Sequence, residues 1–224
     1  MSDPRSAVVL ALDLDGTLED SRDDMVAAVM RVRAARELPL LADERVRPHV
    51  NAGMDHLYRR CLPELAPAAA RELYEADYLS AIAQRTRLYL GMEAALAELE
   101  GLGRLACVTN KPERLSVALL AALGVLSRFT AVIGGDTCPE GKPSPMPLAE
   151  AVRRCGPGAV APRVIMIGDS GGDVRCGQAL GAQTVWCAWG YAADPGDLRP
   201  DATAAAPAEL PGVIARLLAA PALV

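Results

Sequence analysis

Residues Ala7 to Asp20 read AVVLALDLDGTLED, an apolar run that ends abruptly in two aspartates, Asp13 and Asp15, one residue apart. A short run without polar alternation predicts a strand covered on both faces, as in a parallel sheet. Side chains alternate along a strand, so residues 13 and 15 point the same way. They stand at its carboxyl end, the edge where open α/β sheets bind ligands. Asp-Gly is also a turn signal, and for either aspartate alone a turn cap is the competing reading.

Three further buried runs share this character: Leu105 to Val108, Val164 to Ile167 and Thr184 to Ala188, with a weaker fifth at Phe129 to Ile133. Between them lie stretches with helical spacing. Met92, Leu96 and Leu99 form one stripe, and Leu115, Leu119, Ala122 and Leu123 another, with Pro112 suited to a first helical turn and Gly124 to a helix end. Strands alternating with such helices predict a doubly wound parallel-sheet α/β domain of Rossmann-like form. From about Asp20 to Leu88 the rhythm breaks into helical patterns alone: Asp23 to Arg36, Arg45 to Cys61 and Ala66 to Gln84. The expected organisation is an α/β core of residues 1–19 and 89–224 with an all-helical insertion, residues 20–88. The alanine-rich stretch Ala202 to Ala208 reads as low complexity.

The 224 residues are 51% hydrophobic, enough for a full core, and carry a net charge of −5 with their arginines scattered in small groups. That distribution argues against nucleic-acid binding, which needs a concentrated basic footprint. The six cysteines show no C-x-x-C pair or zinc spacing and are expected as reduced thiols of a cytoplasmic protein. No signal peptide is expected, because the first apolar run ends in carboxylates without a small-residue cleavage site. Glycines and glutamines interrupt the uncharged stretch Cys176 to Ala193, so no membrane span is expected either.

Two other strand ends carry chemistry. The run ending VTNK places Thr109 and Asn110 at its edge, and the run ending GDSGGD places Asp169 and Asp173, with Lys142 upstream in GKPSP. Taken singly, Thr109 and Asp169 read as helix N-caps and Lys142 as a solvated loop lysine. Taken together they gather carboxylates, a hydroxyl and an ammonium on one sheet edge. Carboxylates so crowded repel unless a cation neutralises them, and oxygen-rich ligation suits Mg²⁺. An ammonium and a hydroxyl beside such a metal match the needs of a transferring phosphoryl group.

DLDGTLEDS, VTNKP, GKPSP and GDSGGDV, in this order, resemble the four signature motifs of the haloacid dehalogenase superfamily of phosphohydrolases. The helical insertion lies where a subset of that family carries a cap domain. Within it, Leu90 to Leu115 and Gly134 to Leu148 are similar to the text of phosphoglycolate phosphatases. The resemblance implies Asp13 as a nucleophile forming an aspartyl-phosphate, and Asp15 as general acid and then base. It implies Thr109, Lys142 and the backbone of Gly16 and Asn110 holding the phosphoryl oxygens. Mg²⁺ is implied on Asp13, the carbonyl of Asp15 and Asp169, with Asp173 supporting it. The expected substrate is a small phosphorylated metabolite, and the expected assembly a monomer or homodimer.

Two departures set this chain apart. Glu19 stands where such relatives usually carry an apolar residue, and an acid there is expected to alter hinge motion or repel a carboxylate-bearing substrate. The turn HVNAGMDHL, Val50 aside, holds both histidines of the chain, and His49, Asn51 and His56 are its candidate readers of the leaving group. Two alternatives stand beside a phosphatase. One is a phosphotransferase or sugar-phosphate mutase on the same scaffold. The other is a non-enzymatic receiver module phosphorylated on Asp, against which Asp15 argues, being placed to hydrolyse the acyl phosphate.

Overall fold

The computed structural model describes residues 8–50, 53–156 and 163–220. Six parallel strands form the central sheet: β1 (Val8–Leu12), β4 (Arg104–Val108), β5 (Phe129–Ile133), β6 (Arg163–Gly168), β7 (Gln183–Cys187) and β8 (Ala202–Ala204), in the order β5-β4-β1-β6-β7-β8. β1 is central, and Leu12 stands opposite both Cys107 and Ile167. Chain order reverses across β1, which makes its carboxyl end the topological switch point of the sheet.

Alternation along the strands explains why the runs are apolar throughout. Leu10 and Leu12 of β1, Leu105 and Cys107 of β4 and Ile165 and Ile167 of β6 face one layer, built by α5 (Met92–Leu99), α6 (Glu113–Ala122) and α9 (Leu210–Ala219). Val9, Ala11, Ala106, Val108 and Met166 face the other, built by α7 (Met146–Cys155) and α8 (Gly171–Leu180). With both faces covered, neither set can be polar. All six cysteines are free thiols, and five are buried. Among the described residues no helix is long and apolar enough to cross a membrane.

The helical insertion has its own core. Met25, Ala28, Val29 and Val32 line one stripe of α1 (Arg22–Ala35), and pack with Leu57 and Cys61 of α3 (Met54–Cys61) and Ala70, Tyr74 and Tyr78 of α4 (Pro67–Ser80). Tyr74 stacks on Tyr78 with ring centroids 5.9 Å apart. Leu115 of α6 joins this cluster, so the insertion rests on the first turn of a core helix. Arg33 is buried at the end of α1, where it donates to the carbonyl of Cys61 at 2.7 Å and forks onto Glu64.

Three expectations are corrected. Residues 45–61, read as one helix, form α2 (Asp43–Val46), a 3-10 turn at Arg47–His49 and α3, because Pro48 ends the first helix and Gly53, at φ +89°, starts the next. Ala202–Ala204, read as low complexity, is the edge strand β8. The insertion is also not purely helical at its ends. β2 (Glu19–Asp20) and β3 (Arg87–Leu88) pair antiparallel where the chain leaves and re-enters the core.

Asp24 secures that doorway. Buried in the first turn of α1, it accepts hydrogen bonds from the backbone N–H groups of Arg85 (3.0 Å) and Thr86 (2.9 Å) and from the Thr86 hydroxyl (2.7 Å). Asp24→Ala leaves those donors without a partner and is expected to destabilise the protein by about 2–3 kcal/mol, the range for buried groups that lose a charged acceptor. Urea unfolding monitored by tyrosine and tryptophan fluorescence checks this, and an unchanged midpoint refutes it.

Candidate active site

The site grows from strand ends. Asp13 lies one residue beyond β1 and Thr109 one beyond β4, while Asp169 follows β6 directly. The Asp13 N–H donates to the Ile167 carbonyl at 2.9 Å, and the Thr109 N–H to that of Ile133 at 3.0 Å, so the ladder continues into the site. Sheet geometry thereby brings together Asp13, Thr109 and Asp169, residues far apart in sequence.

Lys142 is the cation at the centre. Its Nζ lies 2.7 Å from Asp13 Oδ1 and 2.6 Å from Asp173 Oδ1, and donates to the Val108 carbonyl at 2.8 Å. Burial works against the ammonium, but Asp13 and Asp173 outweigh it and hold it charged. Asn110 positions this lysine through its side chain, which accepts from the Lys142 N–H at 2.9 Å and donates to the Lys142 carbonyl at 3.0 Å. Lys142 is therefore no solvated loop residue.

Asp173 belongs to the capping box of α8: its Oδ2 accepts from the backbone N–H and hydroxyl of Ser170, at 2.9 and 2.6 Å. Asp169 accepts from Thr17 Oγ1 at 2.8 Å and from the Tyr191 N–H at 2.7 Å. Gly16 adopts φ +84°, and a Cβ there would lie 2.5 Å from Asp169 Oδ2, so glycine is required both by backbone conformation and by the close carboxylate.

Asp13, Asp169 and Asp173 each offer an oxygen, all within 4.8 Å of one another. One ammonium does not neutralise three buried carboxylates. Burial and then Asp173 push the Asp13 carboxyl up, Lys142 opposing, and the same two causes raise Asp169. That charge excess and an all-oxygen donor set fit a hard divalent cation such as Mg²⁺. Both oxygens of Asp173 (from Lys142 and Ser170) and of Asp169 (from Thr17 and Tyr191) already accept a hydrogen bond, whereas the Asp13 contacts from Leu14 and Lys142 both fall on Oδ1. The Asp15 side chain stands outside this cluster.

Asp15 has partners of its own. It accepts from Ser21 Oγ and forms an ion pair with Lys111. Burial would raise its carboxyl, but Lys111, Glu19 and Ser21 outweigh burial and lower it. Lys111 is itself buried, and its ammonium also donates to the Tyr78 hydroxyl of α4 at 3.3 Å. Reading the sequence did not single out Lys111, although it directly follows Thr109 and Asn110. Ser21, Thr17 and Tyr191 were likewise not assigned, and Tyr191 carries no sequence signal at all.

Asp13, Asp15, Thr109, Lys142 and Asp169 line a cavity of about 470 Å³, roofed by Met25, Val50, Gly53 and Met54 of the insertion and flanked by Lys111, Arg175 and Tyr191. His49 and His56 lie 3.1 Å apart, ring nitrogen to ring nitrogen. His56 lines a neighbouring cleft of about 420 Å³ with Arg59, Arg71 and Asn110. Asn51 lies outside the described residues. Glu19 does not face the cavity: its side chain is fully buried beside Asp15, so it cannot repel a substrate by contact.

A family model described as haloacid dehalogenase-like hydrolase matches residues 10–187. The chain is 36% identical over 205 residues to a phosphoglycolate phosphatase of Nitrosococcus oceani, covering 86% of this chain and 90% of that one. It is also 36% identical over 211 residues to that of Chromobacterium violaceum, covering 90% and 93%. The solved structure of a predicted phosphoglycolate phosphatase from Haemophilus somnus superposes with a TM-score of 0.78 at 24% identity, over 93% of this chain and 98% of the other, a likeness of fold. With these sequence relatives, this sheet and this strand-end site, the chain belongs to the haloacid dehalogenase-like hydrolases.

Proposed function

We propose that the protein hydrolyses the phosphate monoester of a small metabolite, phosphoglycolate being the first candidate, by phosphoryl transfer to Asp13 and then to water. The observation that carries this reading is the Asp13 carboxylate on the cavity floor. Leu14 N–H and Lys142 Nζ both contact its Oδ1, each at 2.7 Å, so Oδ2 carries neither contact. A carboxylate anchored through one oxygen presents the other as a nucleophile with little reorganisation.

The remaining roles follow from position. Lys142 and the Thr109 hydroxyl supply positive charge and a donor to the phosphoryl oxygens, where negative charge must be stabilised during transfer. Asn110 lines the same cavity, whereas the Gly16 N–H is donated to the Glu19 carbonyl at 2.9 Å. Asp15 in its protonated form gives its proton to the leaving oxygen, and the carboxylate so formed takes one back from the water that attacks the aspartyl-phosphate. Asp13, the Asp15 carbonyl and Asp169, with Asp173 in support, would hold Mg²⁺, which would screen the carboxylates from an anionic substrate. Phosphoglycolate enters as the substrate named for the two sequence relatives.

The domain boundaries belong to this reading: residues 1–19 and 89–224 act as the catalytic core and residues 20–88 as a cap that closes over it. The leaving group meets the cap surface formed by Val50, Gly53 and Met54, with His49, Asn51 and His56, close by in sequence, as further candidate readers. In the adjoining cleft Arg71 is paired with Glu75 and Asp136, whereas Arg59 forms no ion pair among the described residues and suits a second anionic group of a substrate.

Asp13→Asn is expected to lower phosphate release more than about a thousandfold while leaving the circular dichroism spectrum unchanged, as loss of a covalent nucleophile should. Beryllium trifluoride should attach to Asp13 in the wild type, and substantial turnover by Asp13→Asn removes the covalent mechanism. Chelation with EDTA should abolish activity and Mg²⁺ restore it, with Ca²⁺ inhibiting because its larger, more flexible coordination captures both oxygens of the nucleophile. Full activity in EDTA contradicts the metal assignment.

Substitution of His56 or Arg59 by alanine should reorder a panel of phosphorylated metabolites and raise KM. Hydrolysis of p-nitrophenyl phosphate should stay within about threefold, because the generic ester uses only the phosphoryl site. An unchanged ranking in both variants moves specificity away from the cap.

A further inference from the structure

Three cations line the cavity above Asp13: Lys111, Lys142 and Arg175. Two of them have acid partners, since Lys142 lies between Asp13 and Asp173 and Lys111 pairs with Asp15. Neutral donors of the lining are engaged as well. The Ser170 hydroxyl donates to Asp173 at 2.6 Å, the Asn110 amide to the Lys142 carbonyl at 3.0 Å and the Tyr191 hydroxyl to Asp20 at 3.2 Å. Arg175 differs from the other two cations, because its guanidinium forms no hydrogen bond or ion pair among the described residues.

The helix sets the position of this side chain. Arg175 stands one turn after Gly171 in α8, and long side chains on a helix lean back over the turn that precedes them. Its guanidinium accordingly lies over Gly171. A Cβ built at that glycine would stand 2.9 Å from Arg175 Nη2 and 3.2 Å from Leu198 Cδ1, so a side chain at position 171 would push the guanidinium aside. The missing side chain thus leaves the room in which the charge rests, at the wall of the cavity that holds the nucleophile. Arg59 lines the adjoining cleft and not this cavity.

Resting on the phosphatase reading given above, we propose that Arg175 determines specificity by binding a carboxylate on the leaving group of the substrate. Lys142 and Thr109 serve the phosphoryl end, so an anion at the other end of the molecule needs a cation without an acid partner, and Arg175 is that cation in this cavity. A guanidinium meets a carboxylate with two parallel N–H···O bonds. It also balances the single charge of a carboxylate in full but only half of a second phosphate dianion, which favours the carboxylate. Exposed ion pairs contribute little in open water. Met25, Val50 and Met54 roof this cavity, and with substrate in place they exclude solvent from the contact and strengthen it.

The test compares kcat/KM for two alkyl phosphates of one skeleton, phosphoglycolate and hydroxyethyl phosphate, in which an alcohol replaces the carboxylate. Their ratio reads the contact to the tail, because any general attraction of a cation for phosphate acts on both esters alike. Wild type should favour phosphoglycolate. Arg175→Met should lower the ratio about tenfold, as loss of a hydrogen bond between charged groups does, and Arg175→Glu should lower it further by adding repulsion. A wild type without that preference overturns the proposal. So does an equal loss on both esters, which places Arg175 at the phosphoryl end or in support of the fold. If wild type hydrolyses both esters and the ratio is unchanged in the variants, the role of Arg175 falls and the phosphatase reading stands. If wild type releases phosphate from neither ester, the phosphatase reading falls and takes this proposal with it.

Discussion

The structure around the site depends on one buried ammonium. Lys142 lies between Asp13 and Asp173 and also reaches the Val108 carbonyl, so a single group joins the ends of β1 and β4 to the first turn of α8. Removing either carboxylate would leave a charge uncompensated in a low-dielectric interior, a change that typically costs several kcal/mol. The lysine must therefore be placed with care. Asn110 clasps its backbone from both sides, a reason for the amide at that position that is separate from any contact with substrate. Three carboxylates against one ammonium still leave an excess of negative charge. The site is unbalanced by construction, and that imbalance suits the divalent cation proposed for it.

The sheet makes such crowding possible. A carboxyl strand end is a place where the chain has just left a fully hydrogen-bonded ladder, with its side chains free to converge with those of neighbouring strands. Burying Leu10, Leu12, Cys107, Ile165 and Ile167 on one face and Val9, Ala11, Val108 and Met166 on the other makes the strands rigid up to their last residue. The costly polar cluster then sits at the rim of the best-packed part of the protein, where it has least freedom to relax its repulsions by moving apart.

Much of this was legible in the sequence, for physical reasons that differ by element. The doubly covered strands announce themselves because both faces must be apolar, and Asp13, Thr109 and Asp169 are visible as the residues at which those runs stop. Ala202–Ala204 was not, since alanine carries neither strand preference nor apolar alternation, and only its pairing with β7 makes it a strand. The break in residues 45–61 was signalled by Pro48, but two flanking apolar patterns at helical spacing masked it. Lys142 and Lys111 were illegible as buried residues because nothing local distinguishes a lysine that folds back onto carboxylates from one in solvent. Their meaning lies in contacts 31 and 96 residues away.

The same long-range contacts explain why the two aspartates of the opening stretch are not equivalent, although strand alternation sends both toward the cavity. Asp13 is coupled to the core: Lys142, the sheet and α8. Asp15 is coupled to the insertion, through Ser21 at the start of α1 and through Lys111, whose ammonium contacts the Tyr78 hydroxyl and lies 4.9 Å from the centre of that ring. A displacement of α4 that carried Tyr78 away would remove a neighbour from Lys111 and alter the field at Asp15, while leaving the ion pairs of Asp13 intact. One carboxylate thus has surroundings independent of the cap and the other has surroundings that include it. The roles proposed for them, nucleophile and proton carrier, fit that division, because a nucleophile must be ready before substrate arrives and a proton carrier must act only once the leaving group is enclosed.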